Sequence, residues 1–405
     1  MGILTLGDDK MNIRQEAMNI KDTIVKYRRH LHMNPEIGFD LYKTKDYIKK
    51  ELISMGYKPI ECGQCGLYTI IGKKRGKTFL LRADMDALKI KEETNLNYAS
   101  TNNNMHACGH DMHTAMLLGA ALLLKKYEDK INGQVKLMFQ PAEEILEGAK
   151  DMIENNILDN VDAAMMIHVL SGLPFECGTA LICPPGISAP GADMFDIMIQ
   201  GKGTHGSMPD KGIDPLNVAV HIYLALQEIV TREISIQDTL TLTVGSINGG
   251  NSPNIIPDKV FMQGSLRSFH EDVRSYVKQR IKEVSQSCAK TFRANAHVVY
   301  TSGTPALNND KDLSQFVYEQ TKELLGDKAI NVADLGSSLK SSGSEDFAYI
   351  SQKVPSIMIS LAAGELNKGY KYPLHHPCVT FDEDALPIGT AILTNTALKW
   401  LEKNS

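Results

Sequence analysis

Thr78-Phe79-Leu80-Leu81-Arg82-Ala83-Asp84-Met85-Asp86 is a mostly apolar run that ends in two carboxylates. A run of that length and character reads as a buried strand, here Thr78–Ala83. Two further runs have the same shape. Gln134–Phe139 leads into Gln140-Pro141-Ala142-Glu143-Glu144, and Ala163–Ile167 leads directly into His168. An apolar helix, about His113–Lys125, lies between the first two runs. Strands that alternate with helices predict an α/β domain with a largely parallel sheet. In open sheets of this kind the carboxyl ends of the strands border the ligand crevice. Asp84, Asp86, Glu143, Glu144 and His168 all fall at such ends.

Working outward, residues 11–33 read as one helix that Asn34-Pro35 stops, because the residue before proline is pushed out of the α region. A second helix runs from Tyr42 to Met55 and ends at Gly56. Gly66–Gly72 and Thr179–Ile182 read as strands, and a helix is expected from Glu143 through Met152. The texture changes near residue 190. Met194–Ile199, Pro215–Val230, Leu240–Ile247, Val260–Arg267, Glu271–Lys290 and Ala296–Tyr300 follow one another as βαββαβ, the order of a small two-layer α+β sandwich. The chain then returns to helix (Asp312–Leu325), helix (Glu345–Tyr349), strand (Ser356–Leu361) and a long last helix (Asp384–Leu401). The expected plan is a discontinuous α/β domain, residues 11–186 and 303–405, with a mixed, mainly parallel sheet. An α+β unit is inserted at 187–302.

A chain of 405 residues is long for one hydrophobic core, so more than one domain is expected. A net charge of -5 and a single Trp give no electrostatic or stacking reason to bind nucleic acid. No apolar run is long enough to span a bilayer, so no membrane partner is expected. The first residues lack a basic segment followed by an apolar one, so residues 1–10 read as a loose tail rather than a secretory signal. The expected compartment is the cytoplasm. Seven cysteines, an odd number spread over a long chain, point to reduced thiols. Cys62-Gly63-Gln64-Cys65 has a CxxC spacing without a second pair at zinc-ribbon distance, and reads as two incidental thiols in a turn.

The densest chemistry is His106-Ala107-Cys108-Gly109-His110-Asp111-Met112-His113. Thiolate and imidazole are the ligands that zinc and similar metals prefer. Gly109 lets the backbone turn so that its neighbours can converge. Adjacent glutamates, Glu143 and Glu144, repel each other unless a cation lies between them; one can ligate while the other takes a proton from the attacking water. His375 and His376 lie in a loop before the last helix. Taken together, the clusters are what a two-metal site needs, with ions roughly 3.5–4 Å apart and a shared ligand. Each cluster alone also has a bland reading as a polar loop, a helix start or a satisfied histidine.

Six ordered motifs then carry a resemblance. Arg28-Arg29-His30-Leu31-His32-Met33-Asn34-Pro35-Glu36-Ile37-Gly38, Arg82–Leu88, Cys108–Asp111, Gln140–Glu144, Gly343-Ser344-Glu345-Asp346-Phe347 and Leu374–Pro377 resemble those of the aminoacylase and carboxypeptidase type of metallopeptidases. The similarity is to the amidohydrolase branch that includes hippurate hydrolase, indole-acetyl-amino-acid hydrolases and N-acetyl-diaminopimelate deacetylase. The resemblance covers nearly the whole chain from Met11. It implies hydrolysis of small N-acyl amino acids with two divalent ions per subunit (Zn, Mn, Ni or Co). Cys108 would bridge the ions, with His110 and His168 on one and Glu144 and His375 on the other. Glu143 would be the general base. Asp84 or Asp86 would orient a ligand histidine. His205, in Gly201–Pro209, would stabilise the oxyanion, often from a partner subunit. Asn254 and Arg267 would hold the polar groups of the substrate. The resemblance also implies a homodimer, or a higher homo-oligomer, through the inserted dimerisation or lid domain. Lys89 stands where relatives usually have Pro, Ile145 and Leu146 replace a glycine-rich step, and Thr204 replaces a common Gly. These departures bear on the acyl group accepted. A dipeptidase or carboxypeptidase of the same family, and a non-catalytic metal-binding relative, are the alternatives.

Overall fold

The computed structural model describes residues 12–73, 75–336 and 343–405. The expected tail at 1–10 and the expected helix start at Met11 lie outside the described residues. The described residues form two compact units: those within 12–186, 309–336 and 353–405 in one, and 187–308 with 343–352 in the other.

The first unit is built on an eight-stranded sheet. Its order is Ile60–Cys62, Gly66–Gly72, Gln134–Gln140, Thr78–Asp84, Ala163–Leu170, Ser356–Ala362, Ala180–Ile182 and Ala329–Asn331. The central strands Gln134–Gln140, Thr78–Asp84, Ala163–Leu170 and Ser356–Ala362 run parallel, and the sheet is mixed toward its edges. Every residue of Thr78–Asp84 is buried, as expected for a strand covered on both faces. Helix His110–Lys126 is apolar nearly all round and buried over most of its length, which suits a helix enclosed by its neighbours. Leu81, Leu117, Phe139, Ile167, Ile359 and Leu386 belong to one continuous core.

Several boundaries differ from expectation. The first helix is two, Ile13–Asn19 and Lys21–Met33, which meet at Ile20 (φ -101°, ψ 9°). No Gly or Pro marks the break, so periodicity runs through it. The strand after Ala163 continues to Leu170, which puts His168 inside it. The helix expected from Glu143 begins only at Gly148. Ala142 (φ 55°) and Leu146 (φ 60°) are left-handed, so residues 142–147 fold as tight turns. Gly148 permits this course: a Cβ there would lie 1.6 Å from the Pro141 carbonyl oxygen.

The second unit has a four-stranded antiparallel sheet, ordered Leu240–Asn248, Lys259–Ser268, Gly191–Gln200 and Asn295–Thr304. Helices Pro215–Glu228 and Glu271–Thr291 complete the βαββαβ order. They pack on the side chains of Phe195, Ile197, Ile199, Val260, Met262 and Leu266, a core of its own. A two-residue pairing, Thr204–His205 with Ile255–Ile256, was not foreseen. The helix expected at Glu345–Tyr349 is Ala348–Ser351, and Glu345 precedes it, its carboxylate accepting from the Phe347 amide at 3.0 Å.

Candidate metal centre

The carboxyl ends of the central strands deliver the site in the first unit. Asp84 ends Thr78–Asp84 and Asp86 follows it. Glu143 and Glu144 sit in the turns after Gln134–Gln140. His168 comes from Ala163–Leu170, and His375 from the loop before Ala385–Lys403, with φ 66°. Cys108 and His110 flank Gly109, the N-cap of the buried helix (φ 93°). A Cβ on Gly109 would meet Val169 Cγ2 at 2.4 Å, so both conformation and space demand glycine there.

Hydrogen bonds fix which imidazole nitrogens are available. His168 Nδ1 lies 2.8 Å from the Val169 carbonyl oxygen, which only accepts, so Nδ1 carries the proton. Its Nε2 then offers a lone pair, 3.5 Å from Cys108 Sγ. Burial, with His113 nearby, lowers the His168 pKa to about 3, so the ring is neutral. His110 Nδ1 is held by the Asp86 carbonyl at 3.0 Å and the Asp86 carboxylate at 3.3 Å. Its Nε2 is buried and makes no hydrogen bond. That atom lies 3.7 Å from Asp84 Oδ2, 3.8 Å from Glu144 Oε1 and 3.9 Å from Glu143 Oε2. Burial opposes a charge on His110, but Asp84 and Cys108 outweigh it and hold its pKa well above the ordinary value. In such acidic surroundings Nε2 carries either a proton or a cation.

Three sets of side chains have ligand atoms all within 4.8 Å of one another: Cys108, His110 and His168; Cys108, Glu144 and His375; His110, Glu143 and Glu144. Cys108 Sγ belongs to the first two. A fourth set, Asp84, His110 and His113, meets the same distance. There His113 is excluded as a ligand. Its Nδ1 bonds Asp84 at 2.6 Å and its Nε2 accepts the Val169 amide at 2.8 Å, so both nitrogens are spent.

The donors fit divalent metal. Burial, opposed by His110 and aided by Asp86 and Asp84, raises Glu144 to about 7, and its Oε1 makes no hydrogen bond. Burial also pushes the Cys108 thiol well up. A crowded set of acids with orphaned atoms is relieved by a cation, and thiolate, imidazole and carboxylate together suit a zinc-like ion.

Sequence left open which aspartate orients a ligand. Asp86 is the one bonded to His110, while Asp84 bonds His113 and Arg82 (2.6 Å to each). The partner role of His113 was missed. It stood in the His-rich cluster, but its second contact is a backbone amide, which leaves no mark in sequence. In the second unit, His205 pairs with Ile255, next to Asn254, whose carbonyl accepts the Gly206 amide at 2.7 Å. The Ser207 amide donates to His205 Nδ1 at 3.2 Å, so the His205 proton sits on Nε2. Arg267 lies on Lys259–Ser268 and donates to Ser344 Oγ at 2.9 Å.

Residues 80–399 match peptidase family M20/M25/M40. This chain belongs to that family. N-acetyl-L-cysteine deacetylase of Bacillus subtilis is 36% identical over 99% of this chain and 94% of its own length. An IAA-amino acid hydrolase of Arabidopsis thaliana is 38% identical over 96% of this chain and 88% of its own. A dinuclear metal-binding peptidase of the M20 family from Bacillus subtilis shares the fold with a TM-score of 0.76 and 30% identity, covering 95% of this chain and 99% of that one. As an M20 peptidase the chain is a metal-dependent hydrolase of amide bonds. No helix among the described residues is long and apolar enough to cross a membrane.

Proposed function

We propose that this M20 peptidase hydrolyses the amide of small N-acyl amino acids, such as N-acetyl, benzoyl (hippurate-like) or indole-acetyl conjugates, in the cytoplasm. The observation that carries the reading is the sharing of Cys108 Sγ by two sets of ligand atoms. The names of the deacetylase and the IAA-amino acid hydrolase support the substrate class.

In this reading Cys108 would be shared by two ions, and His110 and His168 would help hold one while Glu144 and His375 would help hold the other. Zinc, manganese, nickel and cobalt suit these donors. When bound, such ions polarise the amide carbonyl and make water a better nucleophile at neutral pH. Glu143 takes a proton from the attacking water as the new C–O bond forms. It then passes that proton to the amine nitrogen as the C–N bond breaks. Asp86 keeps His110 in the tautomer that presents Nε2, and Asp84 fixes His113 against Val169. His205 offers Nε2–H to the oxyanion. Asn254 and Arg267 hold the polar groups of the substrate, the arginine fork being suited to a carboxylate.

Residues 11–186 and 303–405 serve as the catalytic domain in this reading, and 187–302 as an inserted lid and dimerisation domain. Leu216, Val220, Tyr223 and Leu224 form an exposed apolar stripe on helix Pro215–Glu228, opposite the buried Val218, Ala219, Ile222 and Leu226. Such a stripe, beside an edge strand at Leu240–Asn248, supports a homodimer in which His205 serves the neighbouring subunit.

A panel of N-acetyl, N-benzoyl and indole-acetyl amino acids set against dipeptides tests the substrate class. Turnover of the acyl conjugates well above that of dipeptides is expected. Preference for free dipeptides would replace this reading with a dipeptidase.

A further inference from the structure

The turn that carries Cys108 and His110 has no side-chain cap: Gly109 stands at the helix N-cap position and has nothing to cap with. The next residue, Asp111, is fully buried. Its Oδ2 accepts from Arg28 Nε at 2.8 Å and from His32 Nδ1 at 2.8 Å, both on helix Lys21–Met33. Arg28 Nη1 reaches Tyr98 Oη at 2.6 Å and Glu383 Oε1 at 3.2 Å, and its guanidinium lies 4.9 Å from the Tyr98 ring centroid. The other nitrogen of His32, Nε2, meets Glu92 Oε1 at 3.1 Å. Glu92 is fixed in turn by the Ser100 amide, 2.7 Å from Oε2, and by the Thr94 hydroxyl. Because both ring nitrogens of His32 face carboxylates, both carry hydrogen, and the ring is a cation.

Arg28 and His32 thus place two cations on one oxygen of Asp111, out of water. Burying charges is a poor way to gain stability, since well-packed apolar residues do at least as well. What the arrangement supplies is direction. Two donors from one helix fix the distance and angle of an oxygen that belongs to the residue after His110.

We propose that Arg28, His32 and Glu92, acting through Asp111, are positioning residues that hold the Cys108–His110 turn in its metal-binding geometry. The inference rests on the ligand assignment above. It adds a clamp on the main chain of the turn, separate from the Asp86 bond that orients the His110 ring.

The test is cobalt(II) titration of the chelator-treated, full-length protein, read by thiolate-to-cobalt absorption and by melting with and without cobalt. Arg28→Lys keeps the charge but loses the fork. Glu92→Gln keeps the shape at the far end of the network. Affinity for cobalt is expected to fall about 10–100-fold in Arg28→Lys and by a smaller factor in Glu92→Gln. The cobalt-induced rise in melting temperature shrinks in the same order. Where Arg28→Lys does not fold, Glu92→Gln decides. Variants that melt lower without metal yet bind cobalt as tightly as the parent, with the same absorption, would show mere packing and overturn the clamp. His110→Ala separates the two claims. If it binds cobalt like the parent, the ligand assignment fails and takes the clamp with it. If it binds weakly while the network variants bind normally, only the clamp fails.

Discussion

The ion pairs behind the Cys108–His110 turn in the first unit and the Arg280–Glu233 pair of the second lie at opposite ends of burial. In the first unit Arg28, His32, Arg82, Asp84, Asp86 and Asp111 are all buried, each tied to a named partner. In the inserted unit the pair of Arg280 with Glu233 lies near the surface, their side chains 29% and 25% exposed. On helix Pro215–Glu228 of the same unit large apolar residues line up facing outward, Val220 at 55% and Leu224 at 57%. Fixed charges out of water suit a unit that must hold cations and aim a base, because their fields are strong and need no reorganisation. Exposed apolar side chains in a stripe suit a unit that meets a partner.

The sharpest break between the units lies in the chemistry. Glu143→Ala is expected to lower turnover about 10²–10⁴-fold while metal content by elemental analysis stays at the parent level. Unchanged turnover would remove the base assignment. Next comes stability. Arg28→Met leaves Asp111 buried without its strongest partner and should cost about 3–5 kcal/mol in denaturant unfolding. The matching change in the other unit, Arg280→Ala, should cost less than about 1 kcal/mol. Equal costs would erase the contrast.

A third, smaller effect concerns pH. In the metal-free protein the Glu144 carboxyl is raised from 4.5 to about 7, so the folded state holds a proton that the unfolded state has released. Stability from this group is therefore present below about 4.5 and declines as pH rises to about 7. Melting of the metal-free protein across that range should show the decline, and Glu144→Gln should flatten it. With metal bound the trend reverses, because the ligands must be deprotonated. The mildest test for folding is Val220→Asp on the exposed stripe. Sedimentation should show a shift from dimer to monomer with the melting of the inserted unit little changed. An unaltered dimer would move the interface elsewhere.

Much of this was legible because the parallel strands are buried on both faces. Thr78–Asp84 and Gln134–Gln140 therefore read as continuous apolar runs with acids at their ends. Cys108, His110, Glu143 and Glu144 were legible as local clusters. The turns at 142–147 were not. Leu146 adopts a left-handed φ that glycine usually supplies, and with no Gly or Pro between Pro141 and Gly148 the segment reads as helix. The pairing at His205 is two residues long, too short to show a period. The bond from Arg28 to Asp111 spans 83 residues, and no local pattern reports such a contact.

The most direct test of the central claim, one thiolate shared by two ions, is elemental analysis of the purified parent, Cys108→Ala and His375→Ala. The parent should carry about two divalent ions per chain. His375→Ala should lose one, and Cys108→Ala should lose both or nearly both. A parent with a single ion, or a Cys108→Ala variant that keeps two, would contradict the account.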